Sequence, residues 1–338
     1  MLTTELIIRQ KNDLKKITQS DPFIQSPDFI NKLHLLEFSR LIVYLANQSR
    51  PALPAKIGGR PKQYRDESVL VVIFVMSVWQ WSPEYMVRTL KRWQPLAEAC
   101  GFENGVVISS SQLRRRRDAL GLWTYFVCFI LIVIILIRKG VIIGRDWVVD
   151  ATILDAFSKK DQQAGWSFTK RYGYKIHAVI CRDSLLPLMI LPSPANAHDV
   201  PWGNRLLLLT HRLFSLPVEV VRADSAYFSK KFIGIIIFVL NAIPKVTVNP
   251  RKKGKKQVVT EDWVFNFRQD RGKRGYIERF FAVLKRYYRL NELTINGLWP
   301  VYRHALESCF AVLLIALLAH ELDRPELMHL KSRMIAPC

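Results

Sequence analysis

The chain is short of negative charge. Its 28 Asp and Glu stand against 50 Lys and Arg, which leaves a formal net charge of +22 and a pI near 10.0. Such an excess disfavours basic partners and draws in polyanions through salt-sensitive contacts to phosphate. Cysteine is scarce too: five residues, at positions 100, 128, 181, 309 and 338, with no C-x-x-C pair. That excludes a disulfide framework and a thiolate zinc site. No internal repeat is found. Met1 to Asp21 is polar and mixed in charge, so no secretory signal is expected. An apolar run of the roughly 20 residues that a membrane span needs is also missing. The longest, Phe126 to Ile137, stops at Arg138 and Lys139, and it is read as a fully buried helix with no membrane partner.

What is there falls into two parts. Residues 1–140 read as an all-α region, with a helix from Phe29 to Ala46 and a breaker-rich linker from Arg50 to Lys62. Further helices are expected from about Asp66 to Trp79, Pro83 to Cys100 and Ser111 to Leu120, the last capped by Ser109 and carrying Arg114, Arg115, Arg116 and Arg117. Residues 141–322 read as an α/β domain, and 323–338 as a tail. Five strands are expected there, on β-branched content and breakers. They are the run around Asp150, Tyr172 to Cys181, Leu185 to Leu191, Val218 to Ala223 and Ile243 to Val248. The first three form antiparallel neighbours. Helices follow at Val200 to Phe214, with a capped start, and at Phe232 to Leu240, apolar on all sides. An amphipathic helix carries Ile277, Phe280, Phe281, Leu284 and Tyr288, and another runs from Trp299 to His320 behind the sheet.

Three acids punctuate these elements. Asp150 interrupts an apolar strand, where an unpaired carboxylate is costly. By itself it reads as a turn cap or an arginine partner. Asp224 closes a short strand at the end where open α/β sheets place their ligands, and it also suits an N-cap for the segment starting near Ser229. Glu278 lies near the start of the amphipathic helix among Arg274, Arg279, Lys285 and Arg286, where a solvated ion pair is the plain alternative. His177 and His198 match no metal-ligand spacing.

Taken in order, six segments resemble the catalytic domain of bacterial insertion-sequence DDE transposases, across roughly residues 145–320. They are Val149–Thr152, Arg171–His177, Asn196–Asp199, Arg222–Tyr227, Val248–Arg251 and Tyr276–Lys285. In the Tyr, Arg, Glu, Lys signature of many such enzymes, Arg274, Glu278 and Lys285 take the last three positions and Arg271 replaces the Tyr. The resemblance implies an RNase H-like five-stranded mixed sheet flanked by helices and preceded by the all-α region. It implies cleavage at the terminal inverted repeats and joining of 3′ ends to target DNA. Asp150, Asp224 and Glu278 would be both catalytic and metal-binding, holding two magnesium ions, with manganese as a substitute.

Two ions about 3.5–4 Å apart suit this chemistry because they offset charge on the attacking and leaving oxygens. Double-stranded DNA is the expected partner, both as ends and as target, with a homodimer assembled on it and a cytoplasmic, nucleoid-associated location. Arg274, Lys285, Arg286, Lys175 and Arg114 to Arg117 are the expected DNA contacts, and the basic run Arg251 to Lys256 a further one. Two other readings stay open: a DNA-binding relative without catalysis, and a metal-dependent nuclease without strand transfer.

Overall fold

The structure, a computed structural model, describes residues 64–102, 105–247 and 267–321, with Asp323, Pro325 and Met328 beyond them; side chains of the third stretch are described from Gly275 onward. The expected helix at Phe29 to Ala46, the linker after it, the basic run Arg251 to Lys256 and most of the tail lie outside the described residues.

Among the described residues five helices come first: α1 (Asp66–Trp79), α2 (Pro83–Arg92), α3 (Gln94–Ala99), α4 (Ser110–Ala119) and α5 (Gly121–Arg138). The single helix expected from Pro83 to Cys100 is broken in two at Trp93, because Pro95 cannot continue the hydrogen-bond ladder. Ser109 starts α4 with a capping box, its hydroxyl accepting from the Gln112 N–H at 3.2 Å.

The sheet contains β1 (Asp146–Asp155), β2 (Gly165–Trp166), β3 (Tyr172–Cys181), β4 (Pro187–Pro194), β5 (Val220–Ala223) and β6 (Ile243–Val246). All five expected strands are present. The sixth, β2, is only two residues long and too short for any sequence period to announce. β1, β3 and β4 are antiparallel in turn, and β5 and β6 add in parallel on the other side of β1. This is the mixed order of an RNase H-like sheet. Gly173 is needed where β3 crosses β1, since a Cβ there would meet the Leu154 carbonyl oxygen at 1.9 Å.

Helix α6 (Asp199–Phe214) covers β3 and β4, α7 (Lys230–Gly234) precedes β6, α8 (Phe267–Tyr287) packs along β1, and α9 (Leu298–Glu321) closes the fold. His198 takes the N-cap of α6 without a side-chain bond, so the capped start expected there is not formed. The helix expected from Phe232 to Leu240 is a short α-helix followed by a π-turn at Ile235–Val239, and it is not buried all round: Phe238 is 84% exposed.

Among the described residues two helices, α5 and α9, are long and apolar enough to cross a membrane. Helix α9 is 89% buried between α1, α5 and β4, so packing accounts for its composition. Helix α5 is only 39% buried, which overturns its reading as fully buried. Tyr125, Phe129, Ile132, Val133 and Leu136 face the core, while Trp123 on the outer side is 68% exposed.

The connection from β1 to β2 is tied to the start of α9 by one carboxylate. Asp161 accepts from the Gly297 N–H at 2.8 Å, the Gln163 N–H at 3.1 Å and the Tyr174 hydroxyl. Burial alone would raise its pKa, but these donors outweigh burial and hold it below the ordinary value of 3.8. A depressed pKa stabilises the fold above the unfolded value and loses that contribution as the carboxyl protonates. The stability gap between wild type and Asp161→Asn is therefore expected to be full at neutral pH and to narrow below about pH 4, as followed by urea unfolding. A gap that stays constant through that range would refute the assignment.

Candidate functional site

β1 and β5 are in parallel register from Asp146↔Val220 to Val149↔Ala223. The next residue on each strand is Asp150 and Asp224. The two carboxylates therefore leave neighbouring strands at the same level. β5 ends there, as expected, whereas β1 runs on to Asp155 against β3, so Asp150 stands mid-strand at the point where its parallel neighbour stops. One oxygen of Asp150 accepts the Ala151 N–H at 2.7 Å, and one of Asp224 accepts the Ala226 N–H at 2.8 Å, starting the turn Ser225–Tyr227. Both side chains are thus oriented by backbone donors. Asp224 stands at a strand end and caps the turn Ser225–Tyr227, but not the helix expected near Ser229, which Ser229 itself caps by accepting from the Phe232 N–H at 3.2 Å.

Glu278 is exposed on α8. Its helix runs the same way as β1. The Tyr276 ring lies 5.9 Å from Arg182, which is paired with Asp146 at the start of β1, and Lys285 donates to the Ile153 carbonyl at 3.4 Å near the strand's end. These contacts lay α8 along β1, with Glu278 between them in the chain.

Hard oxygen donors at the same level of two strands fit a magnesium-type ion, which takes one or two protein carboxylates and fills its shell with water and phosphate oxygens. Among the described residues, however, no three His, Cys, Asp or Glu side chains are close enough together to hold an ion. The three acids are not gathered into one cluster in this structure.

Beneath the pair lies Tyr227, 1% exposed, with no hydrogen-bond partner for its hydroxyl among the described residues. Burial, and then the charges of Asp150, Asp199 and Asp224, raise its pKa well above the ordinary value, so it is a neutral phenol. Its ring rests on Gly203 of α6, where a Cβ would come within 2.7 Å of it. Tyr227 and Asp199 had no separate role in the sequence reading. The small residues of Arg222–Tyr227 were the only hint, because a buried Tyr beside acids is a tertiary feature.

The family model of the transposase DDE domain matches residues 145–314, just over half of the chain. The chain belongs to the DDE transposase family. A solved structure, the piggyBac transposase synaptic complex with hairpin DNA, is similar at 10% identity and a TM-score of 0.41, over 93% of this chain and 82% of that one. A likeness that slight bears no weight on function. No curated protein matches the chain.

The basic side chains of this transposase are distributed differently from the acids. Arg114 is paired with Glu84, Arg116 with Asp66 and Arg117 with Glu307, while Arg115 is exposed. Burial would lower the Arg117 pKa, but Glu307 more than compensates and holds it above its ordinary value. That pair joins α4 to α9. Lys175, 14% exposed, donates to the Ala197 carbonyl at 2.9 Å and to Asp199 at 2.8 Å, fastening β3 to the start of α6.

Lys285 is half-buried against β1, its pKa lowered by burial and by Arg171 against the pull of Asp155. Arg286 is exposed and lies over the Tyr287 ring at 5.4 Å. The Arg274 side chain lies outside the described residues. His177 is buried and neutral, its pKa pushed down to about 3 by burial and then by Lys175. It bonds Ser193 at 2.8 Å and stacks on Trp202.

Proposed function

We propose that this transposase cuts DNA at the terminal inverted repeats of an insertion sequence and joins the 3′ ends to target DNA. The observation that carries the proposal is the shared level of Asp150 and Asp224 on β1 and β5. Magnesium or manganese held there would offset the charge that builds on the attacking and leaving oxygens of an in-line displacement. Asp150 and Asp224 would hold that ion, each side chain pre-set by a backbone N–H. Glu278, on the helix packed along β1, is the third acid of the proposed site. The neutral Tyr227 beneath keeps the floor of the pair free of a further negative charge. Lys285, Arg286, Arg274 and the exposed Arg115 serve phosphate, and Lys175 serves the site by holding Asp199.

Residues 1–140 form the end-binding part, 141–322 the catalytic part and 323–338 a tail. Two copies meet on double-stranded DNA, in the cytoplasm at the nucleoid. The test is incubation with DNA carrying the element's ends and a supercoiled target. Joining of 3′ ends that depends on magnesium or manganese and stops with chelator is expected. Cutting without joining would leave a nuclease, and DNA binding without either would leave a relative that has lost catalysis.

A further inference from the structure

Sixteen residues between β1 and β3, Ala156 to Arg171, carry three large aromatic side chains that the fold leaves in solvent. Phe168 is 91% exposed, Phe157 60% and Trp166 58%. Loose chain does not explain this. The turn that presents Phe168 is closed by Ser167 N–H to the Arg171 carbonyl at 2.7 Å, Lys170 N–H to the Ser167 carbonyl at 3.0 Å and Arg171 N–H to the Ser167 hydroxyl at 3.0 Å. Lys170 takes the left-handed conformation, with φ 60°, that such a turn requires. Arg171 then anchors the turn to β1 by two bonds of 2.8 Å to Asp155. Trp166 is held against Tyr172 across the β2–β3 pair, ring centroids 5.2 Å apart. The Trp166 ring and the backbone that carries Phe168 are therefore held in place, and all three rings face solvent.

Around them Lys159, Lys160 and Lys170 are exposed. Aromatic faces interleaved with cations are what a surface needs to hold an unpaired nucleic-acid strand, with rings stacking on bases and cations meeting phosphates. A second copy of a chain with net charge +22 is poorly matched to a basic patch. The hairpin also projects from the end of β1 that follows Asp150. Asp155 is five residue steps along the strand from Asp150, about 16 Å, or roughly five nucleotides of one DNA strand.

We propose that the tip of the β2–β3 hairpin is a base-stacking site: Phe168, flanked by Trp166 and Phe157, takes an unpaired DNA base while Lys159, Lys160 and Lys170 hold the adjoining phosphates. This rests on the DNA-processing reading of the acidic pair.

The test uses the full chain with a DNA duplex bearing a short single-stranded extension labelled with 2-aminopurine, and a fully paired duplex as control. The wild type is expected to quench the label and to prefer the extended DNA. Phe168→Ala should abolish the quench and weaken binding of the extended DNA by roughly tenfold or more, leaving the paired duplex unaffected, whereas Phe168→Trp keeps both properties. Phe168 is so exposed that its loss should leave the melting temperature unchanged. A quench that survives Phe168→Ala, or equal weakening on both DNAs, overturns the stacking site while the DNA-processing reading stands. A variant altered only in oligomeric state makes the ring a protein contact and overturns it too. Failure of the wild type to bind either DNA sinks both readings.

Discussion

Asp150→Ala and Asp224→Ala are each expected to lower metal-dependent DNA cleavage by about a thousandfold or more while leaving DNA binding intact. The magnitude follows from what the pair is asked to do. Bound cations supply several kcal/mol of transition-state stabilisation in displacement at phosphorus, and about 4 kcal/mol corresponds to a thousandfold in rate. Neither substitution should unfold the chain. Asp150 and Asp224 are half-buried, and the turn-starting bond from Asp224 to the Ala226 N–H is a cap worth about 1 kcal/mol. Binding survives because the acids repel phosphate and the cations that attract it lie elsewhere. Gel assays of cleavage in magnesium and in manganese, with anisotropy for binding, give the readout. Cleavage of either variant within about tenfold of wild type would remove that acid from the mechanism. Glu278→Ala belongs in the same series, because an exposed Glu on α8 should fold normally whatever its role. A loss equal to that of the Asp variants makes it the third acid, and wild-type activity makes it a surface residue.

Asp146→Ala is expected to cost about 3–5 kcal/mol and to lower the melting temperature by on the order of 10 °C. Asp146, 8% exposed at the start of β1, accepts from Arg222 Nε and Nη2 at 2.9 Å each and from Arg182 Nη1 at 2.9 Å. Removing the carboxylate leaves the Arg222 cation, whose side chain is 7% exposed, without that partner in the sheet. Removing one member of a buried, hydrogen-bonded ion pair costs more than replacing both by apolar residues. For that reason Asp146→Leu combined with Arg222→Met should be less destabilised than Asp146→Ala alone. The effect reaches function through the register. Asp146 and Arg222 bind β1 to β5 a few residues below Asp150 and Asp224, so slackening there displaces one acid relative to the other. Calorimetric melting of the three proteins decides it. A loss under about 2 °C for Asp146→Ala would show the network to be dispensable.

Much of this was legible in the sequence, for reasons that differ from residue to residue. The strand Tyr172–Cys181 and the helix Asp66–Trp79 fall at the positions read from pattern and breakers, since both signals are local. Asp150 and Asp224 were legible because an acid in an apolar run stands out against the cost of burying it. Asp146 also stands in that run, yet nothing local marked it as the hub of a buried network. Its partner Arg222 is 76 positions away. The arginines of α4 show the same limit more sharply. Read along the chain they are one cationic run, but in the fold three of them turn to Glu84, Asp66 and Glu307 on three different helices.

The sequence by itself determined the order of the main strands and helices, the place of Asp150 within a strand and of Asp224 at the end of another, the place of Glu278 on an amphipathic helix and the excess of positive charge. Each of these is written in neighbouring residues or in the whole composition. Only the tertiary structure decided which charges neutralise one another, that α5 buries one face and leaves Trp123 outside, and that Asp150 and Asp224 stand at one level while Tyr227 lies neutral beneath them. Pairing and burial depend on residues brought together from distant parts of the chain. A carboxylate's cost or use is set by that company, whereas a strand's existence is set mainly by its own few residues.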